Sequence, residues 1–197
     1  MNWFSFADAS ICRDPLLLST LKKSRCVMLN IGFESLEADS LESMSPWKRR
    51  YLHRYTDAIS EIRRYGMVVT GNFIIGYQRY DKDVLKRIRD FVIDEAVMSQ
   101  YFIATPYPGT KFYDDAVKGG RLRKELDWRF YNAINLVHDI GMPPEDVAAD
   151  LLWLYEQTWA PDVIEHIMRR AIEAARNAAE IPSRPKPRPR GRTAKRR

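Results

Sequence analysis

The chain has 197 residues, 45% of them hydrophobic, which is enough for one domain with a buried core. Its formal net charge of +6 comes from the C-terminus: residues 182–197 hold eight Lys or Arg and no acid, and 24 basic and 26 acidic residues precede them. The charge therefore does not indicate a nucleic-acid-binding domain. No run of about 18 apolar residues predicts a membrane span, and the N-terminus does not resemble a signal peptide. We predict a cytoplasmic protein.

The first 110 residues predict four strands, each followed by a helix. The strands are Trp3–Ala7, the segment 26–31, the segment 67–77 and the segment that begins at 97. Asp14 and Pro15 are suited to cap and start the first helix; a long helix is predicted from Ser45-Pro46 to Gly66, and another over 81–95. Four such repeats predict a parallel sheet packed against helices, with right-handed crossovers.

The remaining segments are of a different kind. A short helix over 111–118 should stop at a Gly pair, the aromatic segment 126–132 should pack back onto the body, and helices are predicted over 142–159 and 161–180. Residues 182–197 are rich in Pro and Arg, which predicts a disordered tail. This divides the chain into 1–120, 121–181 and 182–197.

The second strand ends in a group of residues suited to a binding site. Val27 to Ile31 form an apolar run typical of a strand buried on both faces, and Gly32, Glu34 and Ser35 follow it. In parallel sheets, the carboxyl ends of strands are where ligands bind. Elsewhere no nucleophile, acid pair or phosphate loop stands out.

The cysteines and histidines do not predict a metal site. Cys12 and Cys26 are 14 positions apart and match neither a disulfide framework nor Cys-x-x-Cys spacing, so we interpret them as reduced core thiols. His53, His138 and His166 show no metal-ligand spacing, and no metal-binding residue is predicted.

Five motifs, taken in order, resemble a known family. The segments NIGFES, GNFIIGY, TPYPGT, GGRL and DW resemble the later half of the radical S-adenosylmethionine barrel in enzymes that also carry an N-terminal cobalamin-binding domain. The resemblance runs from about Trp3 to Trp159. It implies an α/β fold, a partial TIM-like barrel in which the four strands are the third to sixth of six.

The resemblance also implies residues that bind S-adenosylmethionine. Glu34 and Ser35 would lie beside its methionine and ribose portions. The residues near its adenine would be Asn72, Ile74, Gly76, Thr105 and Tyr107. Two positions depart from the family pattern, which commonly has Gly in place of Asn72 and an acid in place of Arg79. From the residues alone, Glu34 can equally fix its loop while Ser35 caps the next turn, and the Pro108-Gly109-Thr110 turn can be purely structural.

The family's chemistry requires a 4Fe-4S cluster held by Cys-x-x-x-Cys-x-x-Cys, and this spacing is absent. The expected function is therefore a C-terminal fragment or split half of a radical enzyme that catalyses methylation or rearrangement, inactive alone. Cluster and cobalamin would come with the missing N-terminal part. The first strand would be an unpaired edge, completed by a separate chain that carries the other barrel half.

A different class of function stays open. The chain can be a noncatalytic docking or scaffold protein whose basic tail binds nucleic acid or other polyanions in a salt-dependent way. The tail has no aromatic residue on which bases could stack. An independent enzyme with a complete small α/β fold is disfavoured because no catalytic constellation is found.

Overall fold

The computed structural model describes residues 1–123 and 127–178. Four strands alternate with helices, and two further helices follow. The strands are β1 Trp3–Ala7, β2 Cys26–Glu34, β3 Val68–Ile75 and β4 Met98–Ile103. The helices are α1 Pro15–Lys23, α2 Ala38–Met44, α3 Pro46–Arg49, α4 Tyr55–Arg64, α5 Asp83–Asp94, α6 Lys111–Lys118, α7 Pro144–Thr158 and α8 Pro161–Asn177; short 3-10 helices occupy Ala9–Arg13, Leu52–Arg54 and Trp128–Phe130.

The sheet is parallel throughout, in the order β1-β2-β3-β4. Because right-handed crossovers between consecutive neighbours put their helices on the same side of a sheet, α1, α4 and α5 share one face. The buried positions of the strands agree with this arrangement, since Leu29, Ile31 and Phe33 alternate with less buried residues along β2.

Aromatic rings fill the centre of the core beneath the helices. The Phe33 ring lies 4.8 Å from Tyr55 and 5.5 Å from Phe73, measured between ring centroids, and Tyr101 lies 6.0 Å beyond Phe73. Gly71 makes room for Phe33, because a Cβ atom at Gly71 would lie 2.8 Å from its ring. This packing fixes the carboxyl ends of β2, β3 and β4 relative to one another.

The other side of the sheet, which we call the open face, carries a mixture of apolar and uncharged polar side chains. It consists of Phe4, Phe6, Met28, Asn30, Thr70, Asn72, Met98, Gln100 and Phe102, which share one side by strand alternation and register. Phe4 and Phe6 are 56% and 68% exposed, and Gln100 is exposed as well.

The predicted partial TIM-like barrel is wrong. The described strands form an open four-stranded sheet with β1 and β4 at its two edges, whereas closing a barrel takes about eight strands. The α/β class and the parallel pairing are present. The fold is a layered α/β arrangement with its main helices on one face.

Two local predictions also need correction. The long helix over 45–65 is divided among α3, the turn Leu52–Arg54 and α4, and α2 precedes it. Ser45 is extended, with φ −159°, because a residue before proline is disfavoured in helical conformation. The segment 126–132 was predicted to pack back onto the body, but Trp128 is 67% exposed.

Three predictions concern residues or properties that the structure treats only in part. The basic tail at 182–197 lies outside the described residues. Within the described ranges, no helix combines the length and the hydropathy needed to cross a bilayer. The division at residue 120 stays a prediction.

Candidate functional site

A cleft lies at the carboxyl ends of β2, β3 and β4. It has a volume of about 750 Å³, within the range of pockets that hold small molecules and cofactors. Ile74 and Ala104 are among its apolar lining residues. Its walls come from the loop around α2 and α3 and from the first turn of α6; they are lined by Glu42–Pro46, Tyr77, Thr105, Thr110, Lys111, Phe112 and Asp115.

Glu34 borders this cleft and is held by Lys48. The Lys48 Nζ atom lies 2.6 Å from Glu34 Oε1, donates to the Gly32 carbonyl oxygen at 2.8 Å, and lies 3.9 Å from Asp8 Oδ2. The two paired side chains are only 14% and 21% exposed. Because little solvent reaches the pair, this charge-assisted hydrogen bond holds the Glu34 carboxylate in place beside the cleft.

The backbone at Gly32 and Glu34 allows the contact between Glu34 and Lys48. Glu34 has φ 65°, a left-handed conformation that costs a non-glycine residue about 1–3 kcal/mol. A Cβ atom at Gly32 would lie 2.4 Å from Glu34 Oε1 and 3.0 Å from Lys48 Nζ. The missing side chain of Gly32 therefore leaves the space in which the carboxylate and the ammonium group meet.

One wall of the cleft is aromatic. The ring of Tyr77 stacks on Phe112, with 4.4 Å between centroids, and its hydroxyl donates to the Ser43 carbonyl oxygen at 3.3 Å. His138 packs edge-on against the far side of Phe112 at 5.0 Å and is fully buried. Burial lowers the pKa of His138, and the nearby Arg121 guanidinium lowers it further, so the imidazole is neutral at pH 7.

The described lining of the cleft carries more acidic than basic side chains. Glu34, Glu42 and Asp115 line it together with a single cation among the described lining residues, Lys111. Lys111 and Asp115 pair with each other. Each of these acids has a cationic partner, because Glu34 also pairs with Lys48 and Glu42 with Arg49.

Three of the seven predicted binding residues line the cleft: Glu34, Ile74 and Thr105. Ser35 and Gly76 instead border a small cavity of about 20 Å³. Ser35 is buried, and its hydroxyl oxygen accepts the backbone N–H of Glu37 at 3.0 Å. This is the turn-capping role that the sequence left open.

The other two predicted residues lie elsewhere. Asn72 is on the open face of the sheet. Tyr107 is 45% exposed in the turn before α6, where its carbonyl oxygen accepts hydrogen bonds from Thr110. Thr110 in turn caps α6, since its hydroxyl accepts from the Tyr113 N–H at 3.2 Å. Neither residue is part of the cleft lining.

Sequence reasoning missed several residues of the site. Lys48 lies within the long helix predicted from Ser45-Pro46 to Gly66, and no sequence pattern signals that its side chain points inward. Tyr77 and Phe112 are 35 positions apart, and their stacking follows from the fold. The motif that ends β2 was the one local signal, and it located Glu34 correctly at a strand end.

Comparison with known proteins identifies methyltransferases. Bacteriochlorophyllide d C-12(1)-methyltransferase of Chlorobaculum tepidum is 25% identical over 140 residues, which cover 71% of this chain and 30% of that protein. Bacteriochlorophyllide d C-8(2)-methyltransferase of the same organism is 28% identical over 133 residues, covering 67% and 29%. An uncharacterised methyltransferase of Pyrococcus horikoshii is 28% identical over 166 residues, covering 77% and 35%. No protein-family model matches the chain.

These relatives correct the predicted identity. The prediction of a radical S-adenosylmethionine enzyme fragment of the cobalamin-binding type is replaced by similarity to methyltransferases, whose names refer to no radical chemistry, iron–sulfur cluster or cobalamin. Among residues 1–123 and 127–178, no group of His, Cys, Asp or Glu is arranged to hold a metal ion. The noncatalytic scaffold alternative is not tested by these similarities and stays a prediction.

The chain is thus similar to methyltransferases over two thirds or more of its own length, and it spans about a third of theirs.

Proposed function

We propose that this chain provides the methyl-donor site of a methyltransferase and that the donor is S-adenosylmethionine, bound in the cleft at the strand ends. The observation that carries the proposal is the cleft of about 750 Å³ bordered by the fixed carboxylate of Glu34. The methyltransferases named above support it. The chain covers about a third of those proteins, so the complete reaction is also part of the proposal.

The chemistry of the cleft suits this donor. S-adenosylmethionine carries a sulfonium, an ammonium and a carboxylate group at pH 7, and its net charge is positive. The carboxylates of Glu34, Glu42 and Asp115 line the cleft and offer acceptors to its positively charged groups. Glu34 Oε1 is occupied by Lys48, but a carboxylate has several acceptor sites. Glu34 can therefore also accept hydrogen bonds from the ammonium group or from ribose hydroxyls.

The apolar part of the cleft suits the adenine. Ile74 and Ala104 contribute apolar lining, and the Tyr77–Phe112 stack adds aromatic lining. Purine rings pack favourably against aromatic side chains, which contribute about 1–3 kcal/mol per base in nucleic-acid complexes. We expect the adenine to lie against this wall, with the sulfonium toward Glu34.

The methyl acceptor is proposed from the names of the relatives. Two of them are named for the methylation of bacteriochlorophyllide d, a large pigment. We propose an acceptor of the same class, a bulky conjugated ring compound. The separate chain predicted from the sequence remains a proposal for how the rest of the enzyme is supplied.

Isothermal titration calorimetry tests the donor site directly. The full 197-residue chain should bind S-adenosylmethionine saturably with one site. Glu34→Gln should weaken binding about 10- to 150-fold, since losing a charged hydrogen-bond partner costs about 1.5–3 kcal/mol. Glu145→Gln, at an exposed position in the first turn of α7, is the matched control and should bind as wild type.

A second pair of variants tests the aromatic wall. Tyr77→Ala should weaken binding of S-adenosylmethionine and of S-adenosylhomocysteine equally, because both carry the adenine. Trp128→Ala removes an exposed aromatic side chain outside the cleft and should have no effect. The proposal fails if wild type shows no saturable binding, or if the control variants weaken it as much as the cleft variants.

A further inference from the structure

Two further clefts lie at the amino-terminal end of the sheet, away from the cleft proposed for the methyl donor. One has a volume of about 380 Å³, and its lining includes Lys22 and Arg25, which come just before β2. The other has a volume of about 340 Å³, and its lining includes Arg63 and Arg64 at the end of α4 and Arg170 on α8. We call these two sites the basic clefts.

The basic clefts meet at Ala178, which lines both of them and is the last described residue. The ammonium group of Lys22 donates a hydrogen bond to the Ala178 carbonyl oxygen. The end of α8 also packs closely on the turn after α4, since a Cβ atom at Gly66 would lie 2.8 Å from the Ala178 Cβ. The rest of the chain therefore continues from a point between the two clefts.

The described lining of the basic clefts carries five cations and one acid, Glu95. Outside the lining, Glu61 pairs with Arg64 at 2.9 Å, and the cations still outnumber the acids when Glu61 is counted. The side chains of Arg25 and Arg170 have no hydrogen bond or ion pair among the described residues. These two guanidinium groups are free to bind an anion.

Arg63 lies deeper than its neighbours. It is half-buried, and its guanidinium donates to the Ala96 carbonyl oxygen at 2.7 Å. Burial lowers the pKa of Arg63 and the nearby Arg170 lowers it further, while Glu95 opposes the shift. The Glu95 carboxylate is also engaged, since it accepts a hydrogen bond from the Thr56 hydroxyl at 2.7 Å. A bound anion would relieve the repulsion between the two guanidinium groups.

The segment that follows Ala178 adds charge of the same sign. Residues 179–197 carry eight Lys or Arg and one acid, Glu180. Because the basic clefts and this segment are both cationic, they cannot neutralise each other. The five cleft cations and the eight of this segment include ten arginines. Arginine binds phosphate through two parallel N–H groups, which makes it well suited to phosphate recognition.

The shape and composition of this region favour a nucleic acid over a membrane. A chain of phosphates can enter a cleft, whereas a flat bilayer surface cannot. Helices that bind membrane surfaces bury an apolar face, and residues 179–197 contain one large apolar residue, Ile181. They contain no aromatic residue, and the aromatic residue in the described lining, Tyr65, is half-buried. Base stacking is therefore not expected, which favours a duplex over a single strand.

We infer that the basic clefts and residues 179–197 together bind the phosphate backbone of a double-stranded nucleic acid without reading its base sequence. This inference goes beyond the proposed function. The donor cleft lies at the carboxyl ends of the strands, so the donor and the nucleic acid bind at separate sites.

The test is a fluorescence anisotropy titration of the full chain with a labelled DNA duplex over a range of salt concentrations. Wild type should bind saturably, with equal affinity for two duplexes of unrelated sequence. The logarithm of the binding constant should fall linearly with the logarithm of the salt concentration, because each phosphate contact releases counterions. The double variant Arg25→Gln/Arg170→Gln should make this slope shallower by about 1.8, that is by about 0.9 per lost contact.

The matched control is Arg50→Gln/Arg129→Gln. It removes the same amount of charge from exposed residues outside the basic clefts and should keep the wild-type slope. Equal slopes in the two double variants would overturn the inference, because net charge alone would then explain binding. Absence of duplex binding at low salt would overturn it as well.

Competition separates the remaining partner class. Vesicles that contain phosphatidylserine should not displace the duplex at an equal concentration of phosphate groups, and displacement would show that a membrane surface is the partner instead. Binding of S-adenosylmethionine should be unchanged in Arg25→Gln/Arg170→Gln. Loss of duplex binding with intact donor binding would therefore leave the proposed function standing.

Discussion

Replacing Lys48 is expected to lower the stability of the folded chain. Replacing it with Met removes the ammonium group from Glu34 Oε1, from the Gly32 carbonyl oxygen and from the vicinity of Asp8. The Glu34 carboxylate would then be left only 21% exposed, without its cation. Its backbone would still hold the left-handed conformation.

The expected loss of unfolding free energy follows from the low exposure of the Lys48–Glu34 pair. Exposed pairs contribute about 0–1 kcal/mol, whereas breaking a fully buried pair costs about 3–5 kcal/mol. With 14% and 21% exposure, we expect Lys48→Met to lower the free energy of unfolding by about 2 kcal/mol. For a chain of this size, that corresponds to a decrease in Tm of about 4–8 °C.

Urea denaturation followed by circular dichroism measures this loss, and Lys86→Met is the matched control. Lys86 pairs with Asp83 at 2.7 Å, but both side chains are about 60% exposed, so its loss should leave the urea midpoint nearly unchanged. The double variant with Glu34→Gln should recover part of the loss, because no uncompensated carboxylate remains. Equal losses of unfolding free energy in Lys48→Met and Lys86→Met would refute the reasoning.

Three further predictions concern the core and are each read from unfolding curves. Gly71→Ala should destabilise by about 1–3 kcal/mol, since its Cβ would press on Phe33; an unchanged midpoint would contradict the packing described. Thr158→Val should cost about 1–3 kcal/mol, because the buried Tyr101 hydroxyl loses its acceptor at 2.9 Å, whereas Thr158→Ser should retain most of the stability. Burial lowers the pKa of His138 below its usual 6.5. The imidazole therefore takes up a proton more readily in the unfolded chain, and the free energy of unfolding should fall as the pH drops below about 6.5. His138→Asn should make this fall less steep, and an equally steep fall in the variant would contradict the assignment.

Local patterns predicted much of the sheet and its first helices. Trp3–Ala7 is a strand as expected. Asp14 accepts the Leu17 N–H, and Pro15 starts α1. These features depend on residues close in sequence, where alternation, capping and proline geometry determine the conformation.

The parts that failed depend on distant contacts. The inward direction of Lys48 is set by Gly32 and Glu34 on another element, and no helical pattern reveals it. The ring stack of Tyr77 on Phe112 joins the segment after β3 to the first turn of α6. Whether parallel strands close into a barrel depends on how many are present, and a run of four strand-helix repeats looks alike in open and closed sheets. Residue motifs placed Glu34 at the site but could not establish which enzyme class uses it.

The measurement that tests the donor-site claim most directly is hydrogen exchange of the full chain with and without S-adenosylmethionine. The account predicts slower exchange in two segments, 34–48 and 104–115, which line the cleft, and little change in α8, Pro161–Asn177. Protection elsewhere, or no protection at saturating S-adenosylmethionine, would contradict the claim that this cleft holds the methyl donor.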